Sequence, residues 1–132
     1  MSSPVARTHK EYQEFVKEQF TLRRIDVPFI FRDAFIKLFH LDLSPVSLIL
    51  KGRYSHQGAP ARNPQDMLHS LLAMVLLGIT SIDEWVAFLK SFPSLAIISG
   101  FTPGDTPGVG SFYDFFDRYR PKISHSLLLY IQ

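Results

Sequence analysis

The hydrophobic positions of this 132-residue chain recur at the three- and four-residue spacing that is typical of amphipathic helices. Thr8 and Glu11 form a capping-box pattern, a hydroxyl followed three residues later by a carboxylate, which predicts a helix start. Asp26 with Pro28 predicts a second helix to about residue 40, and Ser44 followed by Pro45 predicts a short third one that ends near Gly52.

The most apolar segment covers residues 64–77, and Asn63 followed by Pro64 predicts its N-terminus. The second half of this segment is apolar almost all the way round, which predicts a helix at the centre of the fold. Gly78 is expected to end the helix in the left-handed conformation.

Two further helices are predicted after this segment. Ser81 and Glu84 repeat the capping-box pattern, and a shorter helix is bounded by Pro93 and Gly100. Residues 95–99 are the only stretch with β-propensity, and helix signals bound them on both sides. The pattern therefore predicts an all-α fold, a compact multi-helix domain.

A glycine-punctuated loop leads into a last predicted helix, in which Phe112, Phe115, Phe116 and Tyr119 share one face. These aromatic side chains are predicted to lie in the core. A short helix after a tight loop predicts a helix-turn-helix-like C-terminal portion. The opposite face of this helix carries two aspartates beside its arginines, so it is not uniformly basic.

Composition narrows the possible functions. The formal net charge is only +2, which is compatible with nucleic-acid binding without demanding it. The hydrophobic content of 46% argues against global disorder. The chain has no cysteine, which excludes disulfides and thiolate metal sites and fits a cytoplasmic protein. No signal peptide or membrane span is recognisable, so no membrane partner is expected.

Candidate catalytic groups are scarce. The five histidines never pair at the spacing of metal ligands on a helix, so no metal or cofactor is expected. Asp83 and Glu84 fall in the first turn of a predicted helix, where the helix dipole alone explains two carboxylates. The glycine-rich stretch at residues 103–110 lacks the Gly-Lys-Ser/Thr ending of a phosphate loop. These residues predict no enzyme.

Ordered motifs between residues 54 and 119 carry a family resemblance. They are a Gly-x-Pro loop, a proline-started Leu-rich helix, a Leu-Gly-Ile-x-Ser turn, an amphipathic helix, a Gly-Phe ending, a proline loop and a [ST]-F-x-x-F-x-x-R helix. In this chain they are Gly58-Ala59-Pro60, Pro64 to Leu72, Leu77 to Ser81, Trp85-Val86, Gly100-Phe101, Pro107, and Ser111 to Arg118. The region resembles the N-terminal domain of DDE-type insertion-sequence transposases.

The resemblance implies a domain that binds double-stranded DNA at transposon ends. It also implies that the three metal-binding carboxylates of a DDE site lie downstream of the matched motifs, so no carboxylate of this chain is assigned to them. We therefore expect a truncated transposase with no catalytic activity of its own. The expected organisation is a helical segment (1–53), the transposase-like helical domain (54–120) and a divergent apolar tail (121–132).

The expected DNA contacts lie in a basic loop and at the two ends of the last helix. They are Lys51, Arg53, Tyr54, Arg62, Ser111, Tyr113, Arg118 and Arg120. Two other interpretations stay open. The domain could act mainly as a homodimerisation module, with Phe29, Phe31 or the apolar run Leu127-Leu128-Leu129 as its contact surface. It could also be an inactive remnant of a transposase.

Overall fold

Helices make up all the regular structure that a computed structural model describes, over residues 7–46 and 62–119. The all-α prediction is therefore confirmed. The helices are α1 (His9–Arg23), α2 (Arg32–His40), α3 (Pro64–Leu76), α4 (Ile82–Ser91), α5 (Pro93–Ser99) and α6 (109–119). A short 3₁₀ turn, Phe29–Phe31, leads into α2.

Three of the predicted helix starts have the side-chain caps that the sequence indicates. The Thr8 hydroxyl accepts from the Glu11 amide at 3.1 Å, and the Glu11 carboxylate accepts from the Thr8 amide at 3.0 Å, so the first capping box is complete. Ser81 accepts from the Glu84 amide at 3.3 Å, and Asn63 caps α3. These side chains satisfy amide groups that the first turn of a helix leaves without partners.

The second helix begins later than predicted. Residues 25–28 have no helical structure, Pro28 has an extended ψ of 140°, and only the 3₁₀ turn precedes Arg32. No side chain caps this start, so the signal from Asp26 and Pro28 does not mark the first residue of the helix. Of the predicted third helix, residues 44–46 are helical and the rest lies outside the described residues.

The short helix α5 is the element that most others contact. It packs on α1, α2, α3 and α4, and its residues 94–99 are all buried. The stretch with β-propensity is thus a central helix, because Pro93 starts it and Gly100 ends it with φ of 101°. A run that is apolar all round suits a position enclosed by neighbours.

The two halves of α3 differ in burial, and the more apolar half is the more exposed one. Residues 64–71 are buried although they include Gln65, Asp66, His69 and Ser70, whereas Val75 and Leu76 are exposed. The helix was predicted to be central because of its apolar second half, but the half that is buried is the first one. The first half lies among the other helices, and α3 packs most extensively on α5.

The aromatic face of α6 closes the core. Phe112, Phe115 and Tyr119 are buried as predicted, and Phe116 is partly buried against the same cluster. The ring centroids of Phe115 and Tyr119 lie 5.0 Å apart. The helix-turn-helix arrangement and the division at residues 53 and 54 stay predictions.

Candidate nucleic-acid interface

A cleft of about 210 Å³ opens between the beginning of α3 and α6. Its walls combine the apolar side chains that hold α6 on the core with charged and polar groups from two distant parts of the chain. The lining residues are Arg62, Met67, Gly110, Ser111, Asp114, Phe115, Arg118 and Tyr119. The cleft therefore joins residues that are about fifty positions apart in sequence.

The polar face of α6 is oriented by its buried aromatic face. Since Phe112, Phe115 and Tyr119 are fixed in the core, the helix cannot rotate without exposing them. Ser111 and Arg118 consequently line the cleft. Before the helix, Gly104 has φ of 89°, a conformation that side chains disfavour, and allows the connecting loop to turn.

Arg62 reaches across this connecting loop to Asp105. Its guanidinium donates to the backbone carbonyl oxygen of Asp105 at 2.7 Å and to the carboxylate at 3.0 Å. It also lies over the ring of Phe101, at 5.6 Å from the centroid. Three contacts therefore hold this arginine at the edge of the cleft.

Arg118 belongs to a second, weaker ion pair. Its Nε lies 4.0 Å from Asp114 Oδ2, one helical turn earlier on α6. The two arginines of the cleft thus each have a carboxylate beside them. The four formal charges of the two ion pairs cancel, although Asp105 itself does not line the cleft.

The structure brings together three of the predicted DNA contacts. Arg62, Ser111 and Arg118 share the cleft, whereas Tyr113 is exposed on α6 and does not line it. The remaining predicted contacts, Lys51, Arg53, Tyr54 and Arg120, lie outside the described residues.

Sequence reasoning missed the role of Asp105 in this site. Asp105 lies in a turn, in which its amide donates to the Thr102 carbonyl at 2.9 Å. Its pairing with Arg62 joins residues 43 positions apart. No local sequence pattern predicts such a tertiary contact. Aspartate is common in turns because it suits the turn backbone, so its presence at residue 105 does not indicate a partner.

A second group of polar side chains is buried beneath α1. The ring of His69 stacks on that of Tyr12, with centroids 4.2 Å apart, and its Nδ1 lies 3.1 Å from the Gln65 carbonyl oxygen. Because a carbonyl can only accept, Nδ1 carries the proton in the neutral ring. Burial lowers the pKa of His69 to about 4, which keeps the ring neutral.

Asp66 lies in the same buried layer. Burial raises the pKa of its carboxyl to about 7, although the guanidinium of Arg7, 3.7 Å away, acts in the opposite direction. Gly100 faces this carboxyl so closely that an added side-chain carbon would collide with it. The Asp66 carboxyl is therefore packed tightly against Gly100.

The described residues contain neither a candidate metal site nor a candidate membrane span. Across residues 7–46 and 62–119, no three histidine, aspartate or glutamate side chains are grouped so that they could hold a metal ion. In the same ranges, no helix has both the length and the apolar character needed to cross a membrane.

Comparison with known families gives the class of protein. Residues 31–118, more than half of the chain, match the model of a family described as "Transposase domain (DUF772)". The domain is therefore transposase-associated, as the resemblance implied. The chain belongs to the DUF772 transposase domain family. Searches of curated proteins and of solved structures gave no significant match.

Proposed function

We propose that this domain binds the sugar–phosphate backbone of duplex DNA at transposon ends, with the cleft between α3 and α6 as part of the contact surface. The observation that carries the proposal is the convergence of Arg62 and Arg118 on one cleft in a transposase domain. Guanidinium groups pair with phosphate oxygens in bidentate geometry, and the Ser111 hydroxyl adds a possible donor.

The cleft favours backbone contacts over base reading. Asp114, on the same face, repels phosphates unless an arginine compensates it, although a carboxylate can accept from cytosine N4. Only about three to five basic groups can face one duplex, so we expect weak binding with a shallow salt dependence. Lys51, Arg53, Tyr54, Tyr113 and Arg120 remain proposed additional contacts.

The test is fluorescence anisotropy of a labelled duplex at several salt concentrations. Arg62→Ala and Arg118→Ala should each weaken binding to all sequences alike and reduce the log–log salt slope by about one unit. Arg23→Ala is the matched control, because Arg23 is exposed on α1 away from the cleft. Equal affinities for all three variants and the wild type would contradict a DNA contact through this cleft.

We further propose that the chain by itself cuts no DNA strand. The support is the resemblance, which places the catalytic carboxylates of a DDE transposase outside the motifs matched here. Incubation of supercoiled plasmid with purified protein and Mg²⁺ or Mn²⁺ should leave the plasmid intact. Metal-dependent cleavage that copurifies with the protein and is lost on mutation of a single aspartate or glutamate would contradict this.

Homodimerisation is the second candidate function, and one surface favours it. Phe29 and Ile30 are both largely exposed at the turn before α2. Phe31 cannot contribute, since it is buried with its ring 5.2 Å from that of Phe92 in an edge-to-face contact. Leu127-Leu128-Leu129 lies outside the described residues. Sedimentation of wild type and Phe29→Ser at several concentrations tests whether this surface self-associates.

A further inference from the structure

The two ion pairs of the cleft share an unusual arrangement of exposure. The arginine side chains are recessed, with 26% of Arg62 and 11% of Arg118 exposed. Their carboxylate partners lie on the outside, with 78% of Asp105 and 61% of Asp114 exposed. Each carboxylate is therefore more accessible to solvent than the guanidinium group with which it pairs.

Arg62 is held in place independently of the Asp105 carboxylate. Its bond to the Asp105 backbone carbonyl, at 2.7 Å, is shorter than the bond to the carboxylate, and the Phe101 ring supports the guanidinium from one side. Loss of the carboxylate charge would leave two of these three contacts. The guanidinium would then keep its position while one of its donors became available.

We propose that Asp105 and Asp114 occupy the places of DNA phosphates in the free protein, so that DNA binding is an exchange of carboxylate for phosphate on Arg62 and Arg118. The inference rests on the proposed function. The chemistry on both sides of the exchange is the same, because a carboxylate and a phosphate each offer paired anionic oxygens to a guanidinium.

The exchange has a measurable consequence for affinity. Each carboxylate competes with a phosphate for its arginine, so removal of one carboxylate charge should tighten binding. Exposed ion pairs are weak, so the expected gain is about two- to fivefold for each aspartate. Because the two ion pairs are formally neutral, they also add little to the long-range attraction of the protein for DNA.

The experiment compares isosteric variants on the same labelled duplex. Asp105→Asn and Asp114→Asn should each bind about two- to fivefold more tightly than wild type. Asp117→Asn is the matched control, because Asp117 is an exposed aspartate of α6 that does not line the cleft. It removes the same charge from the same helix and should change the affinity by less than about 1.5-fold, since nonspecific charge effects are screened by salt.

A double-mutant cycle isolates the exchange from a general charge effect. In an Arg62→Ala background, Asp105→Asn should no longer tighten binding, since the group that it frees is absent. A gain that persists in this background, or equals the gain of Asp117→Asn, would overturn the exchange and leave DNA binding intact. If neither the wild type nor any variant binds the duplex at low salt, the proposed function fails and the exchange fails with it.

Discussion

The two halves of α3 differ in composition and in burial. Polar residues are usually exposed and apolar ones buried, but here the half with the polar residues is the buried one. The first half carries four buried polar side chains, whereas the second half ends in two exposed apolar ones. Burial here follows the position of the helix among its neighbours, since α3 packs on α2 and most extensively on α5.

The polar half is accommodated because three of its buried side chains have a specific partner. Ser70 accepts from the indole Nε1 of Trp85 at 2.9 Å, in addition to the stacking of His69 and the ion pair of Asp66 described above. A hydrogen-bonded polar group such as Ser70 avoids most of the desolvation penalty, whereas burial still outweighs Arg7 at Asp66, whose pKa is raised. The comparison teaches that hydropathy locates a helix more reliably than it locates the buried end of that helix.

The largest effect expected from this comparison is a difference between two apolar residues of α3. Leu68 is 1% exposed in the polar half, and Val75 is 71% exposed in the apolar half. Leu68→Ala should lower the free energy of unfolding by about 2–5 kcal/mol through lost burial and a cavity. Val75→Ala should change it by less than about 0.5 kcal/mol. Urea denaturation of both variants measures the difference, and equal midpoints would show that the assignment of the buried half is wrong.

A smaller effect is expected where a polar pair of the first half is broken. Ser70→Ala leaves the Trp85 N–H buried without its acceptor, which should lower the free energy of unfolding by about 1–3 kcal/mol. The control is Ser91→Ala, at an exposed serine at the end of α4. Trp85 is the single tryptophan, so its emission spectrum reports the change directly. An unchanged spectrum together with unchanged stability would mean that this hydrogen bond contributes nothing.

The smallest effect, taken per pH unit, is a pair of opposed pH dependences within the polar half. The pKa of His69 falls from 6.5 to about 4 on folding, so the unfolded state binds more protons between these values and stability falls with falling pH. The pKa of Asp66 rises from 3.8 to about 7 on folding, so the folded state binds more protons and stability rises with falling pH. Between about pH 4 and 6.5 the two contributions oppose each other.

Single variants should separate these contributions. Asp66→Asn should become less stable as the pH falls from 6.5 to 4, and His69→Phe, which keeps a ring to stack on Tyr12, should become more stable. Each slope should be at most about 1.4 kcal/mol per pH unit, the value for one proton. Urea denaturation at several pH values gives both slopes. Parallel curves for the two variants would contradict the opposed titration of this pair.

Local signals predicted the features that depend on neighbours in sequence. The capping side chains Thr8, Asn63 and Ser81, the left-handed Gly78 and Gly100, and most of the aromatic face of α6 were all recognisable. Each of these rests on hydrogen bonds or spacing within one helix and its ends.

The features that escaped prediction depend on contacts between distant segments. The helix α5 was predicted from its end signals, but only its four helical neighbours place it at the centre. The buried polar residues of α3 and the pairing of Arg62 with Asp105 likewise require partners from other elements. Arg62, Ser111 and Arg118 could each be predicted from the sequence, but not that they line one cleft.

Through the hydroxyl of Tyr12, α1 caps the C-terminal end of α5. This hydroxyl donates to the Ile98 carbonyl oxygen at 2.6 Å, one of the last carbonyls of α5, which have no partner within their own helix. Yet α1 precedes residue 31, where the family match begins. In a protein trimmed to residues 31–118, the Ile98 carbonyl would lose this donor, and one face of His69 would be exposed to water. The matched segment, residues 31–118, is thus shorter than the segment that shields the core from water, which includes α1.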